Sequence, residues 1–237
     1  KNFSNIVHAK YCVSCSSGSA ALHLAVSSLN LKKNDFVIVP AITFVSTANS
    51  VIHSGAEIIF ADVNRENGLM ELRNFEKALL LGRNKAKAVI PVHLGGQCTD
   101  SEKIYYKAKK LGIKVIEDAA QAFYSRNSTG YLGTQSFAGC FSMALGKLIS
   151  TGQGGFVVTN DESTYKTLKA MRSHGLTDVI DVTYNTRPGF NFKFTDIHAS
   201  IGLAQLDKLP ASIARVNKIH EKYFNATQDL SFLTLLP

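Results

Sequence analysis

The sequence predicts an α/β protein: a three-layer sandwich of helices around a mostly parallel, seven-stranded sheet. Three observations carry that expectation. Short apolar runs alternate with stretches whose apolar residues recur at helical spacing. Runs such as FVIV, KAVI and KVIE are apolar almost without a break, as strands covered on both faces are. Hydrophobic residues make up 45% of the 237, enough for a sizeable core.

The elements follow in chain order. YCVSC, residues 11–15, reads as the first strand, with Val13 in the core. Residues 19–29 form a helix that places Ala21, Leu22, Ala25, Val26 and Leu29 on one face. Residues 35–39 are a strand stopped by Pro40, 43–54 a helix and 57–61 a strand. A helix over 72–81 leads to a strand over 86–91, and a helix over 101–111, closed by Gly112, leads to a strand over 114–117. Residues 137–142 and 155–159 complete the seven strands. After Asp161 the pattern turns helical, over 161–172, 195–209 and 210–226.

Charge and cysteine usage narrow the function. The net charge is +8, with lysines grouped at 32–33, 85–87, 107–110 and 208–222. There is no arginine-rich tract and no interleaving of basic and aromatic residues, so a nucleic-acid partner is not expected. The lysines read as solvated helix faces, or as a mild attraction for a phosphorylated small molecule. No apolar run approaches the ~20 residues that span a bilayer, and the N-terminus lacks the apolar middle of a signal peptide. A cytoplasmic protein with no membrane partner is expected. Cys12 and Cys15 form a CxxC, but no second pair follows at zinc-ligand spacing. No metal is expected, and Cys12, Cys15, Cys98 and Cys140 read as buried free thiols.

In open α/β sheets, ligands sit beyond the carboxyl ends of the strands, and the chemistry-bearing residues fall there. Lys147 lies in SMALGKLISTGQGG, five residues after the strand-end Ser142. Taken alone it is a surface lysine. A serine that takes a phosphate, followed by an amine that takes an aldehyde, is what a phosphorylated aldehyde cofactor needs. Three other parts are required. Gly18 and Ser19 open a helix after the first strand, where backbone N–H groups and the helix dipole favour a dianion; the plain alternative is an ordinary N-cap. Asp118, in IEDAAQA, ends a strand and could hold a pyridine nitrogen protonated, with Glu117 pointing the other way and Gln121 near the ring's phenolic oxygen; the alternative is an acidic pair capping a turn. Phe44 could stack on the ring, or could be a core phenylalanine.

These motifs occur in one order: GS, TF, EDAAQA, then S-x4-K followed by TGQGG. With PVHLGGQ, MRSHG and PGFNFKFTDIHASIGLAQLDKL they make the chain resemble the DegT/DnrJ/EryC1/StrS family of sugar aminotransferases, which are fold-type I and depend on pyridoxal 5′-phosphate (PLP). The likeness runs from Cys12 to about Lys208. It implies a PLP-binding large domain over residues 1–208, then a long helix over 209–237 leading to a small domain that is largely missing. It implies that Lys147 carries the cofactor and shuttles the proton, that Asp118 partners the ring nitrogen, and that Gln121 contacts the phenolic oxygen. It further implies Phe44 as the stacking aromatic and Gly18, Ser19 and Ser142 as phosphate binders. Asn191 resembles the asparagine that reaches the cofactor of the neighbouring subunit, so a homodimer with shared sites is expected. His93 and His174 read as structural.

Dehydratases of the family place histidine where Lys147 stands, so the lysine implies transamination. The implied reaction moves an amino group from glutamate to the keto sugar of a nucleotide-diphosphate sugar, for surface polysaccharide or nonulosonic-acid synthesis. The favoured substrate is the C4 carbon of a UDP-4-keto-6-deoxy-HexNAc. The alternatives are C3 amination of a dTDP-keto sugar and a truncated, non-catalytic PLP-binding or assembly piece. Lys193, the ALG before Lys147, and Gln153 depart from the family's usual residues. Substrate choice is expected to depend on the loops at 144–146 and 177–188.

Overall fold

The structure, a computed structural model, describes residues 2–82, 85–177, 185 and 187–233. A short helix α1 (Asn2–Ile6) precedes β1 (Tyr11–Cys15), α2 (Gly18–Ser27), β2 (Phe36–Pro40), α3 (Val45–His53) and β3 (Glu57–Ala61). Then come α4 (Leu72–Leu81), β4 (Ala86–Val89), a 3-10 turn (Leu94–Gly96), α5 (Ser101–Lys110) and β5 (Lys114–Asp118). A small hairpin, β6 (Arg126–Asn127) and β7 (Gly130–Tyr131), leads to β8 (Ala138–Ser142) and β9 (Gly155–Thr159). Helices α6 (Glu162–Arg172), α7 (Asp196–Asp207) and α8 (Leu209–Thr227) follow.

The main sheet has seven strands in the order β1-β9-β8-β5-β4-β2-β3. It is mostly parallel, as predicted; β9 alone among these strands runs against its neighbours, pairing antiparallel with both β1 and β8. Alternation along each strand builds the layers. In β2, Val37 and Val39 pack with α2, α3 and α6, while Ile38 packs with α4 and α5. In β9, Val157 joins the first group, whereas Phe156 and Val158 meet Phe141, Met143 and α1's flank. Both faces are therefore covered, which is why these strands read as continuous apolar runs.

The differences from expectation are local. Pro40 belongs to β2, as its last residue, where a missing N–H costs the ladder little. Helix α3 begins at Val45, not 43, because Phe44 is extended (φ −70°, ψ 140°) and serves as its N-cap. Helix α1 and the hairpin are too short to leave a periodic signal; α1 is held by Phe3, whose ring stacks on Phe156 at 4.7 Å. Cys15 and Cys140 are buried as predicted, and burial pushes the Cys15 thiol up to about 12. Two residues correct the expectation of four buried thiols: Cys98 is exposed ahead of α5, and Cys12 is only half-buried in the edge strand β1. Helix α8 is exposed along most of its length, with only Leu209 buried.

Candidate active site

Beyond the carboxyl ends of β5 and β8, and facing the start of α2, lies a cavity of about 360 Å³. Its wall at α2 is built from backbone. Ser17 is the extended N-cap, and its Oγ accepts from the Ala20 N–H at 3.0 Å. The N–H groups of Gly18 and Ser19 are among the first of the helix, which have no carbonyl one turn back to receive them. Gly18 is required by close approach: a Cβ there would lie 2.8 Å from the Cβ of Ser142 at the end of β8. Gly155, opening β9, lets Ser17 approach from the other side, since a Cβ there would meet the Ser17 carbonyl at 2.4 Å. The helix start is thus clamped between two strand ends. Ser19 Oγ and Ser46 Oγ lie 2.6 Å apart across the rim.

Asp118 ends β5 and reaches the cavity with only 4% exposure. Its Oδ2 accepts from the Thr47 hydroxyl at 2.7 Å and its Oδ1 from the Ala120 N–H at 3.1 Å. Burial raises its pKa, against the opposing effects of those two bonds and of the His93 and Lys147 charges. Glu117 points to the opposite face, as the alternation predicted. Its Oε2 meets His93 Nε2 at 3.0 Å and accepts from the Gly133 N–H at 2.8 Å, with both side chains buried. Burial works to raise the Glu117 pKa, but the bonds from His93, Ser136 and Gly133 outweigh it and hold the carboxyl below its usual range. His93 Nδ1 faces the Thr99 N–H at 3.5 Å, so each ring nitrogen has a buried partner. His93 is therefore structural, as predicted.

Lys147 follows a tight turn, closed by its N–H on the Ala144 carbonyl at 3.2 Å and shaped by Gly146 at φ +82°. It lines the main cavity and an adjoining one of about 240 Å³ with Gln121 and Gly95. Gln121 Oε1 accepts from the Gly95 N–H at 2.8 Å, which commits the carbonyl and leaves the NH2 for a ligand. Phe44 stands at the cavity wall with 68% of its surface exposed, so the core alternative for it does not hold.

The structure thus brings Gly18, Ser19, Phe44, Asp118, Gln121, Ser142 and Lys147 to one cavity. Asn191 is not among its lining residues. It is exposed, and its backbone bridges Ser173 between the stacked rings of Phe190 and Phe192. His174, at φ +60°, has its Nε2 3.4 Å from Lys193 Nζ on the same segment. Of the loop expected to choose substrates, residues 178–184 and 186 lie outside the described residues.

Sequence reasoning missed Ser17, Thr43, Ser46, Thr47, Val92, Ala120 and Gln153 as parts of this site. The hydroxyls of TFVSTANS were a signal for three of them, being polar residues at i, i+3 and i+4 around a helix start. No group of three or more His, Cys, Asp or Glu able to hold a metal occurs among the described residues.

Comparison with known proteins follows the same lines. The model of the DegT/DnrJ/EryC1/StrS aminotransferase family matches residues 1–237. GDP-perosamine synthase of Escherichia coli O157:H7 is 38% identical over 91% of this chain and 58% of its own length. Spore coat polysaccharide biosynthesis protein SpsC of Bacillus subtilis is 33% identical over 97% of this chain and 61% of its own. This chain therefore spans about three fifths of the curated relatives it matches. Among solved structures, an aminotransferase from Brucella abortus superposes with a TM-score of 0.93 at 27% identity, covering 100% of this chain and 64% of that one. Helicobacter pylori PseC, an aminotransferase of pseudaminic acid biosynthesis, does so at 0.89 and 26%, covering 97% of this chain and 62% of that one.

Proposed function

This chain belongs to the DegT/DnrJ/EryC1/StrS aminotransferase family, and from that premise we propose that it is the cofactor-binding part of a PLP-dependent nucleotide-sugar aminotransferase. The observation that carries the reading is one cavity shared by a buried carboxylate, a lysine amine and an unpaired helix start. The residues present fit the cofactor. The Gly18 wall is a cradle that a single Cβ would fill, and Asp118 is a buried carboxyl whose pKa is raised by burial, a condition that a protonated ring nitrogen would relieve.

Each residue then has a task. The N–H groups of Gly18 and Ser19, with the Ser142 hydroxyl, would hold the phosphate. Asp118 would keep a proton on the ring nitrogen, and the Gln121 NH2 would donate to the phenolic oxygen. Phe44 would cover one ring face and limit water there. Lys147 would hold the cofactor through Nζ and, once released, carry a proton between the donor carbon and the cofactor's C4′. When bound, PLP supplies the electron sink that makes that proton removable. Together Gly18, Ser19, Ser142, Asp118 and Gln121 would hold the group at three separate points and keep it in register with Lys147 Nζ.

Glutamate is the proposed donor and a nucleotide-diphosphate keto sugar the acceptor. The C4 carbon of a UDP-4-keto-6-deoxy-HexNAc remains one reading of the acceptor, supported by the likeness to PseC. A GDP-linked keto sugar is the second, favoured by the two GDP-perosamine synthases at 38% and 34% identity. Asn191, exposed and away from the cavity of its own subunit, is proposed to reach the site of a second copy, giving a homodimer with shared sites. The test is a panel of GDP-, UDP- and dTDP-keto sugars with glutamate and PLP, run on a full-length version. Amino-sugar formation with 2-oxoglutarate release is expected. PLP bound without any glutamate-dependent conversion of its absorbance would refute the enzyme reading and leave a PLP-binding piece.

A further inference from the structure

Thr47 lies in α3, is fully buried, and does not line the cavity, yet it makes the shortest bond to the buried carboxylate. Its Oγ1 donates to Asp118 Oδ2 at 2.7 Å. One turn earlier, Thr43 Oγ1 lies 2.7 Å from the same Thr47 oxygen. A hydroxyl has one proton. With Thr47's committed to the carboxylate, the Thr43 hydroxyl must donate to Thr47, and the direction of the chain is fixed from the cavity wall inward. Thr43 itself lines the cavity. On the other oxygen, the Ala120 N–H fixes Oδ1. The carboxylate is therefore held by one donor on each oxygen, from two different elements.

We propose that Thr47 is a positioning residue for Asp118: its hydroxyl sets the plane of the carboxylate and keeps the negative charge on it, so that a proton shared with a ring nitrogen resides on the ring. The proposal rests on the functional reading given above. The other charged or titratable groups facing Asp118 are Lys147 from the turn after β8, His93 before the 3-10 turn and Cys140 from β8, with Glu117 adjacent in β5. None of them can replace a hydroxyl bond to Oδ2 from the α3 side. Valine in place of threonine has nearly the same shape, so Thr47→Val removes the donor to Asp118 and, with it, the acceptor of the Thr43 hydroxyl.

Two measurements on wild type, Thr47→Val and Thr47→Ser test this. In the chain without cofactor, the carboxyl 13C resonance of Asp118 is followed against pH. Thr47→Val should raise its midpoint by about one unit, a tenfold change in the protonation ratio. Thr47→Ser should restore the wild-type value. In the chain loaded with PLP labelled with 15N at the ring nitrogen, Thr47→Val should move the 15N shift toward the unprotonated pyridine value at constant pH, and serine should move it back. Coincident titrations for wild type and Thr47→Val overturn the proposal. So does a shift that serine fails to reverse, since packing alone would then explain it. If PLP never attaches to wild type, the functional reading fails, while the 13C titration still decides whether Thr47 governs Asp118.

Discussion

Substituting Gly18 by alanine sets two effects against each other. Alanine is the better helix former by about 1 kcal/mol in a helix interior, and less at a first turn. The added Cβ would stand 2.8 Å from Ser142 Cβ and 3.3 Å from Ser142 Cα, while ordinary contact begins at 3.4 Å. The shortfall is at least 0.6 Å, and the atoms it meets belong to or adjoin the β8 backbone, so no side-chain rotation removes it. Retreat is blocked on the β9 side, where Ser17 already lies against Gly155. Overpacking of this kind costs about 1–3 kcal/mol and outweighs the propensity gain. The start of α2 must move, and its N–H groups move with it. Losing the alignment of one N–H with a bound dianion costs about 1.5–3 kcal/mol, or roughly 10- to 150-fold in affinity. PLP titration followed by absorbance, beside a melting curve, measures both terms. A Gly18→Ala chain that half-saturates at the wild-type PLP concentration would refute the argument that this wall holds the phosphate.

Other outcomes follow from the same geometry. Lys147→Ala should abolish the borohydride-stable pyridoxyl adduct and cut any glutamate-dependent turnover by about 10²–10⁴-fold; a wild-type yield of adduct in Lys147→Ala, carried by another lysine, would count against its role. His93→Ala, which leaves Glu117 buried without its partner, should cost about 3–5 kcal/mol in denaturant unfolding; a loss under 1 kcal/mol would show that water replaces the ring. The two buried carboxyls should respond to acid in opposite senses. Glu117, with its folded pKa lowered, contributes stability that is present above the unfolded value near 4.5 and lost as pH falls, so Glu117→Gln should flatten the acid limb of stability. Asp118, with its pKa raised from 3.8, has its charged form opposed by folding. Its contribution to stability is present below 3.8 and lost as pH rises through the raised folded value, so Asp118→Asn should remove it from the stability–pH profile of the cofactor-free chain, while weakening PLP binding; an unchanged profile would overturn that sign.

Much of this was legible in the sequence because the strands are buried on both faces. FVIV and KVIE can be little other than core strands, and their ends locate the ligand site. Asp118 and Glu117 could be assigned to opposite faces from alternation alone, and the structure places one in the cavity and the other on His93. What pattern could not give was contact between distant segments. Thr47 reaches Asp118 across 71 positions, and Ser19 meets Ser46 across 27; neither pair leaves a periodic trace. Phe44 was ambiguous because a helix's first turn and an exposed N-cap look alike in sequence, and only its extended backbone separates them.

The antiparallel ninth strand also dictates a timetable. Tyr11–Cys15 has a single neighbour in the sheet, and that neighbour ends at Thr159. Thr159 pairs with Tyr11 across 148 positions (159 − 11), so a ribosome must deliver all of that stretch before the first strand can be fully zipped into place. Until then the start of α2, proposed to hold the phosphate, lacks one of the two strand ends that clamp it, so a nascent chain interrupted earlier would offer that turn supported from the β8 side alone.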